Sequence, residues 1–327
     1  MGPLSSTTSS RIFRTVAWLL LLAALVFAFD IIIFRSAFAQ YDKLNHLNDI
    51  KKPFRVVVIG SSNILWALDP VSIESKTGMK TAMFAIAGGN IEFRYHTLKE
   101  YIDRHGDEKP DLILFHADRY VFSKKRYGTE AYLSLQGYYH AGLYRDFLDH
   151  HWNGSMDSRF KKIFKVYSLN SEAYFILSKY MDRIPVNLPL TLLTGPLMAE
   201  PMPSERSPAS PVSRIEQWKK NYEHLTASEL IDSEFKGYYN LSTDLLKTYG
   251  VRSYLLETPM AEGIVNEADF ETVRSLLRHG ESNRVRYLRI TGERIESDTG
   301  LYFDASHLNL EGRQKYTRLL LEHLRVD

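Results

Sequence analysis

Cysteine is absent from all 327 residues, which excludes disulfide frameworks, thiolate metal sites and cysteine nucleophiles and leaves the compartment to be read from other features. Net charge is nearly absent as well. Lysine and arginine number 41 against 39 acidic residues, a formal balance of +2, so the chain has no electrostatic footprint for nucleic acid or for a strongly acidic ligand. It contains no GxxxxGK phosphate loop, no dinucleotide fingerprint and no internal repeat, so the nucleotide chemistries those motifs serve are excluded. Proline is scarce except in one place. Seven of the 12 fall between Pro185 and Pro211, and the stretch of about 185–214 reads as a long surface loop or crossover.

Long apolar runs are confined to the N-terminus. After Arg11 and Arg14 the run Val16 to Phe29 is apolar, and after Asp30 the character resumes through Ile31–Phe34. Residues 15–35 are enough to cross a bilayer as one helix. Ala37-Phe38-Ala39 also has the small-x-small form of a signal-peptidase site, so a cleaved signal peptide competes with a retained anchor. Asp30 and Arg35 sit awkwardly for cleavage, and Arg11 and Arg14 favour a cytoplasmic N-terminus at 1–14. The expectation is a single-pass anchor, a polar stalk over 36–52, and one large extracytoplasmic domain over 53–327.

Within that domain, strands and helices alternate. Phe54–Gly60 is a β-branched run closed by glycine. Ala82–Ile86 ends at Gly88-Gly89, and the following Ile91, Tyr95, Leu98 and Ile102 repeat at helical spacing. Leu112–Phe115 is a third strand, ending in His116, Asp118 and Arg119. Residues 130–184, rich in tyrosine, phenylalanine and histidine, read as a helical insertion. A helical pattern runs from Ile215 to about Tyr249, a fourth strand covers 251–256, and a last one lies around 287–290 before a closing helix that puts Tyr316, Leu319, Leu320 and Leu324 on one face. This order predicts an α/β fold with a central parallel sheet, whose site lies at the carboxyl ends of the strands.

Two short segments carry chemistry. Gly60-Ser61-Ser62-Asn63 presents a serine on a tight turn after a buried strand, where a hydroxyl can act as nucleophile. Asp304-Ala305-Ser306-His307 sets an acid and a histidine three apart before a helix, a spacing that lets the carboxylate hold one imidazole nitrogen while the other faces a serine. Each has a plainer reading when taken alone, a helix cap for the serines and a turn cap for Asp304. His150-His151 beside Asp149 reads as a solvated helix face in preference to a metal cluster. His105, His140 and His224 are isolated, and the sequons at Asn153 and Asn240 matter only in a eukaryotic secretory host.

Together the blocks resemble the SGNH/GDSL hydrolases: strand-GxS near the start, a glycine turn after the second strand, and DxxH before the last helix. The runs GSSNILWALDP and DASHLNLEGRQKY are similar to the membrane-tethered cell-envelope branch, which includes DltD and the alginate O-acetylation proteins. The likeness covers about sixty residues. It implies a three-layer sandwich around the parallel sheet, of the SGNH/flavodoxin-like kind, with Ser62, Asp304 and His307 as catalytic triad. The Ser62 and Gly88 N–H groups would be oxyanion donors, with Gly89 as the alternative to Gly88. The family's asparagine after the third strand is missing, and His116 stands near that position as a replacement donor. The likeness further implies a serine esterase or O-acyltransferase acting on an acylated envelope glycan or polymer, with no cofactor or metal and with a membrane-bound O-acyltransferase as acyl-delivering partner. A non-catalytic envelope scaffold that keeps the fold is the competing class.

Overall fold

The computed structural model describes residues 6–45, 47–128, 130–152, 227–261, 267–290 and 295–326, with isolated positions between 159 and 220. Much of the expected insertion and, apart from Ser213, the proline-rich stretch lie outside the described residues. The chain divides into two compact units, one formed by residues 1–44 and 136–200 and the other by 45–135 and 201–327.

In the first unit, helix α1 spans Ser6–Asn45, and its segment Phe13–Ile32 is long and apolar enough to cross a membrane. The helix does not stop at residue 35. Residues 36–45 continue it, where the sequence suggests a stalk, because neither glycine nor proline interrupts the run. The same unit holds the short helix α6, Arg145–His151. His150 and His151 have their ring centroids 5.5 Å apart and nearly perpendicular, and among the described residues no group of three metal-ligating side chains forms.

The second unit is built on five parallel strands, β1 (Val56–Ser61), β2 (Thr81–Ile86), β3 (Leu112–His116), β4 (Arg252–Glu257) and β5 (Val285–Arg289), in the order β2-β1-β3-β4-β5. Every residue of β1 and β3 is buried, as expected for strands covered on both faces, whose sequences then read as continuous apolar runs. The helices are α2 (Ser62–Ala67), α3 (Pro70–Thr77), α4 (Ile91–Arg104), α5 (Lys124–Tyr127), α7 (Ala227–Leu230), α8 (Ser233–Tyr249), α9 (Glu267–Arg278) and α10 (Leu310–Val326). Helix α4 packs against α8, and α10 packs against α2 and α3. The helical pattern expected from Ile215 to Tyr249 is broken at Asp232, whose carboxylate accepts from the N–H groups of Glu234 and Phe235 and so starts α8 there.

The strand order changes direction at β1. The chain leaves it for β2 on one side and returns to β3 on the other. At such a switch point the loops after neighbouring strands part, which opens a crevice at the carboxyl ends, and Ser62 is the first residue after β1.

Candidate active site

The end of β1 has room for nothing but glycine at position 60. A Cβ there would lie 2.4 Å from Ile64 Cγ2 and 2.6 Å from His116 Cβ. The chain then turns directly from strand to helix. Ser61, fully buried, is the N-cap of α2, its Oγ accepting from the Asn63 N–H. Ser62 is the first helical residue and is partly exposed. Its N–H therefore has no partner within the helix. Of two adjacent serines, the first is spent on the cap and the second is presented.

The opposing loop is fastened at several points. Gly312 of α10 packs on the Leu301 carbonyl so closely that a Cβ would lie 2.3 Å from it. Asn309 Oδ1 accepts from the Gly312 N–H at 3.0 Å, and the Asn309 N–H donates to the Leu301 carbonyl at 2.9 Å. Thr317 of α10 accepts from the Asp69 N–H at 3.0 Å, and Arg313 Nε donates to the Leu68 carbonyl at 2.8 Å. These bonds tie the base of the loop to the far end of α2. They account for Asn309, Gly312 and Arg313 of the run DASHLNLEGRQKY.

The result is a continuous relay. His307 Nε2 lies 2.9 Å from Ser62 Oγ, and His307 Nδ1 lies 2.7 Å from Asp304 Oδ2. The other carboxylate oxygen of Asp304 accepts from the N–H groups of Ser306 at 2.8 Å and His307 at 2.9 Å. Burial works against ionisation of Asp304, but the hydrogen bond and charge of His307 and the two backbone N–H groups outweigh it and bring its pKa down to about 2. Asp304 is therefore a carboxylate at neutral pH, and Nδ1 of His307 must carry the hydrogen that it accepts. In the neutral imidazole Nε2 is then the acceptor facing Ser62, the tautomer a general base requires. The Trp66 ring lies 5.8 Å from His307 and 5.6 Å from Phe303, centroid to centroid, forming one wall of the site.

The structure separates the two glycines that the sequence offers as oxyanion donors. Gly89 N–H donates to the Ile86 carbonyl at 3.1 Å, and a Cβ on Gly89 would lie 2.9 Å from the Gly60 carbonyl. Gly89 is thus a packing residue. Gly88 is exposed, sits at φ +67°, and its N–H has no partner among the described residues.

No protein-family model matches the chain, and no curated protein matches it.

His116 is brought to Ser61, not to Ser62. It is fully buried, with Nδ1 3.2 Å from Ser61 Oγ and Nε2 3.1 Å from both Thr258 Oγ1 and Asp118 Oδ2. Both ring nitrogens are occupied, so the expectation that His116 supplies a third oxyanion donor is corrected. Burial, together with the Arg94 charge, lowers its pKa to about 3 and keeps the ring neutral. Sequence reasoning missed Arg94 and Tyr127, which complete this buried group. The available signal was a charged residue three after Ile91 and four before Leu98, on the inward face of α4.

Proposed function

We propose that the chain is a membrane-anchored, extracytoplasmic serine esterase or O-acyltransferase of the SGNH type, acting on acyl esters of a cell-envelope glycan or polymer. The observation that carries this reading is the relay Ser62 Oγ to His307 Nε2 at 2.9 Å and His307 Nδ1 to Asp304 at 2.7 Å, drawn from residues at opposite ends of the domain. In it, Ser62 Oγ attacks the acyl carbonyl as its proton passes to His307 Nε2. Asp304 holds the imidazolium that forms. The N–H groups of Ser62 and Gly88 receive the charge on the carbonyl oxygen. The alcohol departs with the proton from His307, and water or a sugar hydroxyl then attacks the acyl-serine through the same relay.

A side-chain donor missing from the oxyanion hole is worth about 10²–10³ in rate, a handicap that leaves most of a serine enzyme's acceleration intact. The parallel sheet with helices gathered in two groups supports the three-layer sandwich of the SGNH likeness. The apolar span Phe13–Ile32, with Arg11 before it and Arg14 at its first turn, supports an anchor with its start in the cytoplasm. A membrane-bound O-acyltransferase is the partner this arrangement suits.

The test uses the full chain in detergent with p-nitrophenyl acetate. Turnover is expected to fall about 10⁴-fold or more in Ser62→Ala and in His307→Ala, and about 10⁴-fold in Asp304→Asn. Wild-type turnover no greater than that of Ser62→Ala, in a folded sample, would sink the hydrolytic reading and favour a scaffold that binds envelope glycan.

A further inference from the structure

Behind the elbow lies a second Ser-His-Asp order, one residue earlier in the chain. Ser61 Oγ meets His116 Nδ1 at 3.2 Å, and His116 Nε2 meets Asp118 Oδ2 at 3.1 Å. Ser61, His116 and Asp118 are all 0% exposed, so no substrate reaches them. Asp118 also accepts from the Tyr127 hydroxyl and, at 2.7 Å, from the Tyr120 N–H.

The guanidinium of Arg94, also 0% exposed, links this group to the glycine turn. Its Nε donates to the Gly89 carbonyl at 3.0 Å, its Nη1 donates to the His116 carbonyl at 2.8 Å, and its Nη2 lies 3.5 Å from Asp118 Oδ2. The Tyr127 ring lies beneath it, 4.8 Å from Cζ to centroid. The donors of a guanidinium sit on three separate nitrogens of one rigid plane and so reach groups spread around it, whereas the three N–H groups of an ammonium share a single nitrogen on a flexible stem. Burying such a charge costs several kcal/mol in general, and a neutral, well-packed group of the same volume is often as stable. Stability alone therefore does not account for an arginine here.

We propose that Arg94 is a positioning residue for the oxyanion hole. It fastens the turn that bears Gly88 to the end of β3 and, through Asp118, His116 and Ser61, to the elbow that bears Ser62. The two backbone N–H donors belong to loops after different strands, and this side chain fixes the spacing between them. The inference rests on Ser62 being the nucleophile.

The test compares Arg94→Lys with wild type as full chains in detergent. With p-nitrophenyl acetate, kcat is expected to fall roughly 10- to 100-fold, part of the loss expected for a whole donor, while KM stays within about twofold. The rate at which a fluorophosphonate labels Ser62 should fall in parallel, because the phosphonyl oxygen occupies the same hole. A folded Arg94→Lys protein with wild-type kcat and labelling rate would overturn the proposal. If Arg94→Lys does not fold, the double variant Arg94→Met with Asp118→Asn removes both charges and leaves neither stranded. It is expected to fold and to show the same fall in kcat, and unchanged kcat there would equally overturn it. Wild type that neither labels nor exceeds Ser62→Ala defeats the nucleophile assignment, and this proposal with it, a pattern distinct from an active wild type matched by its Arg94 variant.

Discussion

His116 and His307 show how burial divides one side chain between two uses. His307 is 19% exposed and turns an acceptor nitrogen toward Ser62. His116 is sealed and held neutral, with its pKa lowered to about 3 by burial and by Arg94. In an NMR titration, its ring resonances are expected to stay fixed between pH 8 and pH 4, where an ordinary histidine would shift. Because the folded value lies below that of the unfolded chain, unfolding takes up a proton as the pH falls from about 6.5 toward 3, and stability declines across that window. Asp304 adds to the decline lower down. Its stabilising effect is complete above about pH 4 and is lost as the pH falls through its folded value of about 2. The difference in unfolding free energy between wild type and Asp304→Asn should therefore shrink by about 2 kcal/mol between pH 5 and pH 2, measured by urea titration. At Gly60 the constraint is steric. Gly60→Ala puts a methyl group against Ile64 and His116 and is expected to cost about 1–3 kcal/mol, read as a lowered urea midpoint.

At the scale of elements, the local signals were the legible ones. β1 is an unbroken β-branched run closed by Gly60-Ser61, and Asp304 and His307 lie close enough in sequence to meet within one turn, so the strand, the turn after it and the acid–base pair could each be read from a few adjacent residues. The orientation of His116 could not be read in this way. Every residue of β3 is buried on one face or the other, so the apolar/polar alternation that tells inward from outward is missing, and nothing in Phe115-His116-Ala117 says that the imidazole turns toward Ser61. Arg94 was hidden for the opposite reason. Its spacing from Ile91 and Leu98 puts it on the inward face, but α4 carries several other charges, and among them one more reads as surface until the tertiary packing shows it enclosed. The helix start at Asp232 follows ordinary capping rules, visible once the break is known. Asp232→Ala removes the acceptor for two N–H groups of α8, at 2.9 and 3.1 Å, and is expected to cost about 1 kcal/mol, again read from the urea midpoint.

At the scale of the molecule, the 40 residues of α1 make a rod about 60 Å long, of which the 20 residues Phe13–Ile32 match the roughly 30 Å hydrocarbon core of a bilayer. The full chain is expected to sediment with membranes and to resist alkaline carbonate extraction, and a variant lacking residues 1–39 to appear in the soluble fraction. Carbonate release of the full chain would rule out the anchor. The relay spans nearly the whole domain, since 245 residues separate Ser62 from His307. At ribosomal speeds of about 5–20 residues per second, the serine is made roughly 10–50 s before the base that would activate it. On the proposed mechanism, a chain still emerging carries an inert hydroxyl, and a message that stops before His307 yields a protein that is never switched on.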